Sequence, residues 1–362
     1  MARHTLLSDC RECMMEIPLA VRPLSILALT FFVSMLSMPV LIRFLRRAGM
    51  GKSIRDEASA PIMSSMHKGK SGTPVMGGIV IWGTVALVFA GLALGCHFGG
   101  VGSLPCQLSF WSRGQTWLPV GLMLAAALVG LVDDYWNLRH LGPHGGGLKM
   151  RHRLLSYTLI AVIGAWWFYT KLQWDQIHVP FVGTFNVGLW YPLFFIITIV
   201  STSFSVNETD GLDGLAGGVL LAAFGAYSVI AWSQGRTDLS TLCAAIVGAL
   251  IGFLWFNINP AAIFMTDTGA MSLGTVLGVV ALMTNQPLLL LVIGLPFVLE
   301  SASVILQVAS KRIRKKKIFR STPLHHHFEA IGWSEPRIVM RVWLISFVLA
   351  GVGVVLALID RV

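Results

Sequence analysis

A chain of 362 residues that is 55% hydrophobic and 12% charged, with mean hydropathy +0.73, falls outside the range of soluble domains and reads as a polytopic membrane protein. Its net charge of +10 does not point to nucleic acid, because no stacking aromatics accompany the basic runs. The charge is better explained by loops that stay on one side of a bilayer.

In chain order, residues 1–23 read as an N-terminal extension. Asp9, Glu12 and Glu16 argue there against a cleavable signal peptide, and Cys10 and Cys13 form a lone Cys-x-x-Cys. Apolar stretches follow at 24–44, 75–97, 115–134, 153–172, 188–207, 211–232, 239–257, 260–284, 286–309 and 338–360. Each is long enough to cross about 30 Å of hydrocarbon. The expectation is an all-α polytopic integral membrane protein with about ten transmembrane helices, forming one membrane-embedded domain over 1–362. Twenty of the 27 Lys and Arg residues fall in 43–74, 135–153 and 310–341, which are alternate connections. Those loops are expected to face the cytoplasm and both termini to lie outside.

The connections carry their own signals. Cys96 and Cys106 flank the outer connection 98–114; a disulfide there is open, with unpaired thiols the expectation. In 173–187, Ile177, Val179 and Phe181 alternate around Pro180 and Gly183, which suggests a small hairpin. Gly142 to Gly147 read as a mobile loop. Pro296 would remove a helix hydrogen bond inside the ninth span and bend or break it, as a plain kink or as a groove for lipid.

The chemistry lies where apolar spans are interrupted by acid. A carboxylate at the centre of a membrane helix costs roughly 2.5 to 3.5 kcal/mol on the lenient insertion scale, so acids beside spans need a partner. Asp133 and Asp134 would repel unless they share a cation or a proton. Asn207, Asp210 and Asp213 recur at i, i+3 and i+6, which on a helix sets them along one face. An EF-hand is rejected, since the loop pattern is incomplete and Gly218 stands where its last carboxylate belongs. Asp267 sits in a polar break that also holds Asn257 and Phe264, the latter able to stack on a base. His325, His326 and His327 would diverge by about 100° each on a helix, which favours phosphate contact or proton handling over zinc. Gly51-Lys52-Ser53 is not a P-loop, because Arg46 occupies the first glycine position. Hard oxygen ligands at one boundary point to a magnesium ion with phosphate.

At these residues the sequence resembles the phospho-N-acetylmuramoyl-pentapeptide transferases of the polyprenyl-phosphate N-acetylhexosamine-1-phosphate transferase superfamily. The pieces are His67 followed by Gly72-Thr-Pro-Val-Met-Gly-Gly78, Asp133-Asp134, the run from Asn207 to Ala216, Phe264-Met-Thr-Asp267, Ser303 to Gln307, and Pro323 to Glu329 leading to Gly332-Trp333, Glu335 and Arg341. Their order is the specific feature. The resemblance implies transfer of phospho-N-acetylmuramoyl-pentapeptide from its UDP carrier to undecaprenyl phosphate, with Mg2+, giving lipid I and UMP. It also implies a multi-pass enzyme of the bacterial cytoplasmic membrane whose site faces the cytosol, with a homodimer as a further expectation and no nucleic-acid partner.

By that resemblance Asp267 would be a principal magnesium ligand, and Asp133 or Asp134 would assist the metal or deprotonate the lipid phosphate. Asn207, Asp210, Asp213, Phe264 and Gln307 would surround the nucleotide or the metal, and Thr73 and Asn257 join that substrate-binding set. His325, His326 and His327 would contact phosphates or sugar together with His67, with His326 in a catalytic role. The chain departs from the family pattern in places. Asn137 stands where a lysine is usual, Phe204 where asparagine is, Thr266 and Ala270 where glycine and serine are, and Glu208 replaces an apolar residue. Arg153, Lys149 or Arg151 could restore the charge absent at Asn137. A transferase for UDP-N-acetylglucosamine is the rival within the class. Transport is set aside, because no internal repeat relates the halves and the acids gather at one boundary rather than the midplane.

Overall fold

The computed structural model describes residues 18, 20–51, 70, 72–100, 102–141 and 147–360. Long helices run back and forth: α1 (Val21–Arg47), α2 (Gly78–Gly99), α4 (Trp117–Leu138), α5 (Met150–Lys171), α6 (Tyr191–Thr209), α7 (Leu215–Ser233), α8 (Thr237–Asn257), α9 (Thr266–Met283), α11 (Leu295–Ile313) and α13 (Glu335–Ile359). Short helices α3 (Leu104–Leu108), α10 (Leu290–Ile293) and α12 (Leu324–Ala330) sit in the connections. Among the described residues, the segments at Gly188–Thr209 and in α1, α2, α4, α7, α8, α9 and α13 make eight helices long and apolar enough to cross a bilayer. Two expected spans differ in kind. The fourth forms the 22-residue α5, whose first turns carry Arg151 and Arg153. The ninth breaks at Gly294 into α10 and α11, with Pro296 in the first turn of α11, as a missing donor requires.

Burial ranks these helices. The most apolar window of α9 is 94% buried and that of α8 83%, against 28% for α1 and 22% for α13. A helix apolar on every side belongs at the centre, and α9 packs there against α4 and α6. The outer helices leave Leu24, Leu36, Leu344 and Val348 exposed, which suits contact with lipid tails. Asp133, Asp134, Asp210, Asp213 and Asp267 belong to one end of this bundle.

At the opposite end, β1 (Gln176–Val179) and β2 (Gly183–Asn186) pair antiparallel as the alternation in 173–187 predicts. His178 Nε2 hydrogen-bonds to Asp360, just past α13, and the Phe181 N–H donates to the other Asp360 oxygen at 2.6 Å. Arg22 and Asp238 pair beside the starts of α1 and α8. Cys96 and Cys106 form a disulfide there, which corrects the expectation of unpaired thiols. The chain turns back through α3 and brings their Cα atoms to 4.1 Å, a proximity that spacing alone does not reveal.

Candidate active site

The buried end of α4 meets the start of α9. Adjacent residues on a helix point about 100° apart, so Asp133 and Asp134 serve different neighbours. Asp134 turns to the first turn of α9, where it accepts from Thr266 Oγ1 at 2.8 Å, the Asp267 N–H at 3.2 Å and the Thr268 N–H at 3.0 Å. These are helix N-terminal donors with no partner inside α9, and a carboxylate from another helix satisfies them. Gly130, one turn earlier on α4, makes the approach possible: a Cβ there would stand 2.5 Å from the Asp267 carbonyl oxygen.

Asp133 turns the other way. Its Oδ1 accepts from the Leu148 N–H at 2.5 Å, and its Oδ2 lies 2.7 Å from Arg153 Nε. Arg153 rises from the first turns of α5 and also donates to Asp267 Oδ2 at 2.8 Å and to Asn207 Oδ1 at 3.4 Å. Asn207 in turn donates to Asp267 Oδ1 at 2.5 Å. Thus the last turns of α4 and α6 and the first turns of α5 and α9 put two buried carboxylates and the Asn207 amide around one guanidinium.

Asp210 and Asp213 do not continue the face that Asn207 begins. The helix ends at Thr209, and Gly214 at φ +79° starts α7 on a new axis, so the i, i+3, i+6 reading is corrected. Asp210 Oδ2 accepts from the Thr266 N–H at 3.0 Å. Asp213 joins a second cluster: Lys70 Nζ lies 2.6 Å from both Asp213 Oδ1 and Glu335 Oε1. The Asp213 N–H donates to Glu335 at 2.6 Å, while Asn259 Nδ2 and the Ala261 N–H donate to Asp213 Oδ2. Lys70 also stands 5.9 Å from the Phe264 ring centroid. The clusters are joined by backbone pairing, since the Phe264 N–H donates to Pro74 and the Gly77 N–H to Phe264. Thr73 therefore sits beside Lys70, its N–H 3.4 Å from the Lys70 carbonyl.

Other predicted residues bond to neighbouring loops and helices. Asn257 accepts from the Gly214 N–H at 3.0 Å and donates to the Ile263 carbonyl at 2.8 Å, tying both loops together. Gln307 Oε1 accepts from the Ile318 and Phe319 N–H groups, and its Nε2 donates to the Phe319 carbonyl. The histidines on α12 diverge as the helix requires. His325 Nδ1 bonds to Glu300 at 3.0 Å, His326 Nδ1 to Glu329 at 2.6 Å, and His327 Nδ1 accepts from the Arg320 N–H at 3.2 Å. Of the three, His325 approaches the acidic loop, with its ring against Gly211. His67 lies outside the described residues.

The model of a family described as glycosyl transferase family 4 matches residues 116–285, which hold Asp133, Asp134, Arg153, Asn207 and Asp267. A phospho-N-acetylmuramoyl-pentapeptide-transferase of Levilactobacillus brevis is 40% identical, covering 90% of this chain and 96% of its own. Those of a Geobacillus species and of Bacillus anthracis are each 38% identical over 90% of this chain, covering 95% and 94% of their own lengths. The chain belongs to the phospho-N-acetylmuramoyl-pentapeptide-transferase family.

Within that family two departures gain a physical account. Of the three candidates to replace the charge absent at Asn137, Arg153 is the one in contact with Asp133 and Asp267. Thr266, where glycine is usual, holds φ +57° and uses its hydroxyl to reach Asp134 and to accept from the Met76 N–H at 3.0 Å. Sequence reasoning missed Lys70, which it counted only as a topology charge, and gave no site role to Glu335 or Asn259; Glu300, which the sequence leaves open between a satisfied intramembrane acid and the floor of the site, pairs with His325. Among the described residues no three His, Cys, Asp or Glu side chains stand as a metal-holding group. The donor set is still one of hard oxygens. Asp133 Oδ2 is buried without an aligned hydrogen bond, and it faces Asp267 across the guanidinium.

Proposed function

We propose that this chain transfers phospho-N-acetylmuramoyl-pentapeptide from UDP-N-acetylmuramoyl-pentapeptide to undecaprenyl phosphate, forming lipid I and UMP. The reading places it in the bacterial cytoplasmic membrane, with Mg2+ as cofactor and the acidic end facing the cytosol. One observation carries it: Asp133, Asp267, Asn207 and Arg153, from four different helices, converge at one end of an apolar bundle that also holds an apolar groove along α6. Similarity over 90% of the chain to transferases of that name supports the substrate class.

The groove supports a lipid acceptor. It lies between α6 and the broken α10–α11 segment, lined by Phe194, Ile197, Ser201, Val206, Gly294 and Phe297, with a volume of about 200 Å³. From Phe194 to Val206 it follows α6 for about 18 Å at the rise of a helix. Val206 precedes Asn207, so a polyprenyl tail in this groove would bring its phosphate to the carboxylates. Gly294 and Pro296 give the lipid reading of the break a purpose beyond a kink.

One phosphoanhydride is exchanged for another, so no nucleotide hydrolysis is required. The acceptor phosphate is already anionic near neutral pH, and the task is to bring two polyanions together. Arg153 and Lys70 are the cationic side chains at the two clusters and would neutralise the donor diphosphate. Asp133 and Asp267 would hold the divalent ion, which supplies charge neutralisation for the transferring phosphoryl group. Asp134 and Asp210, spent on the first turn of α9, would position Asp267 rather than bind metal. Phe264, beside Lys70, would stack on the uracil.

The test is UMP release by the purified chain with undecaprenyl phosphate and each UDP-sugar in turn, with Mg2+ or with a chelator. Release from UDP-N-acetylmuramoyl-pentapeptide that stops on chelation is expected. Release from UDP-N-acetylglucosamine alone, or indifference to the chelator, would refute the reading.

A further inference from the structure

The Arg153 guanidinium is an unusual occupant of its position. It offers one nitrogen to each of two carboxylates, Nε to Asp133 and a terminal nitrogen to Asp267, where arginine ordinarily grips one carboxylate through two parallel bonds. Asp133 Oδ2 and Arg153 Nε are 2.7 Å apart yet not aligned as a hydrogen bond, although both atoms are buried. Charge holds this contact more than geometry does. Two carboxylates share the single guanidinium, while the neighbouring Asp134 is bonded instead to the start of α9. The Arg153 side chain retains 21% of its exposure, so it has a path outward, and it stands at the start of α5 beside Gly147.

We infer that the Arg153 guanidinium and a divalent cation compete for the same space between Asp133 and Asp267, and that Arg153, once displaced, turns to the donor diphosphate. This rests on the metal reading above and adds a device to it. A divalent ion carries twice the charge and takes oxygen ligands at about 2.0–2.1 Å, closer than a guanidinium can come. A diphosphate gives the released arginine a bidentate partner it lacks between the carboxylates. Metal and donor then bind with positive coupling, because each relieves the cost that the other meets. Asn207 completes the exchange by holding Asp267 in place through its amide as the guanidinium departs.

The experiment is Mn2+ binding to the full-length purified protein, read from the loss of the free-ion electron paramagnetic resonance signal without any substrate. Arg153→Gln, neutral and able to hydrogen-bond, is expected to bind Mn2+ about tenfold or more tightly than the native chain. Arg153→Lys, whose ammonium is a point charge that cannot bridge both carboxylates, is expected to fall between them and serves if the glutamine variant does not fold. A purely structural role for Arg153 would leave Mn2+ affinity equal or lower on substitution, and that result in both variants overturns the inference. If the native enzyme stops on chelation while neither variant gains affinity, only the competition falls. If the native enzyme ignores the chelator, the metal reading falls with it.

Discussion

Thr266 offers the sharpest separation of backbone strain from side-chain bonding. It opens α9 at φ +57°, a conformation that costs an L-residue roughly 1–2 kcal/mol and glycine almost nothing. Against that cost stand its hydroxyl contacts, one to the Asp134 carboxylate at 2.8 Å and one from the Met76 N–H at 3.0 Å. The charged contact contributes about 1.5–3 kcal/mol and the neutral one about 1. Thr266→Ala keeps the strain and loses both contacts, so it should destabilise by about 3 kcal/mol. Thr266→Gly loses the same contacts but relieves the strain, less about 0.5–1 kcal/mol for the freedom glycine gains in the unfolded chain. The glycine variant should therefore be the more stable of the two by about 1 kcal/mol. At an ordinary helical position the order is the reverse, with alanine ahead by about that much. Thermal unfolding of both variants in one detergent reads the order directly. An alanine variant as stable as the glycine variant, or more so, would refute the strain argument.

Asp267→Asn should keep the fold and lower UMP release by roughly 10²-fold or more, because it removes a carboxylate facing Arg153 and leaves the first-turn bonds of α9 intact. The same assay on Asp134→Asn should show its loss accompanied by a lower unfolding midpoint. Glu335→Gln should raise the KM for the UDP donor and destabilise by about 1–3 kcal/mol, since it removes charge from the Lys70 partner and weakens the Asp213 anchor; an unchanged KM would detach Lys70 from the donor. Replacing Cys96 and Cys106 together by serine should cost about 2–3 kcal/mol, the loop-closure value for the 10-residue separation, and appear as a lower unfolding midpoint. At Asp360, burial pushes the carboxyl up, but hydrogen bonds from His178 and the Phe181 N–H outweigh it and the net direction is down. The anchoring of the hairpin by this carboxylate should persist above the ordinary value near 4 and be lost only as pH falls below it. Hydrogen exchange across 176–186 should accelerate there in the native chain and already at neutral pH in Asp360→Asn.

The spans were legible because a bilayer demands long apolar runs, and the acids were legible because nothing else excuses them there. Pro296 announced the break before α11, since a missing donor acts locally. What stayed hidden depends on contacts far apart in sequence. Lys70 lies 143 residues from Asp213 and 265 from Glu335, so only the folded chain distinguishes it from its basic neighbours. The choice among Lys149, Arg151 and Arg153 turns on where α5 begins, because each residue rotates the side chain by about 100°. The resemblance sets Asn257 and Gln307 among the substrate-binding residues, while in the fold both ends of each amide bond to loop backbone. Spacing at i, i+3 and i+6 misled because it assumes a helix that stops at Thr209.

The first turn of α9 explains why so many acids are needed. Three of its N–H groups, on Thr266, Asp267 and Thr268, have no acceptor within the helix, and two carboxylates from other segments take all three. Asp134 and Asp210 thus fix the position and the rotation of the most buried helix in the bundle. The Asp267 side chain is left to face Arg153 and Asn207, and Asp133 faces them from α4. The acids divide into two that hold backbone and two that face a cation, so identical residue types a single position apart on α4 should respond differently to the same amide substitution. That division also makes the pocket sensitive to charge as well as to shape: its frame is fixed by buried backbone bonds, while the guanidinium between Asp133 and Asp267 is held by one unaligned contact and by hydrogen bonds to Asp267 and Asn207.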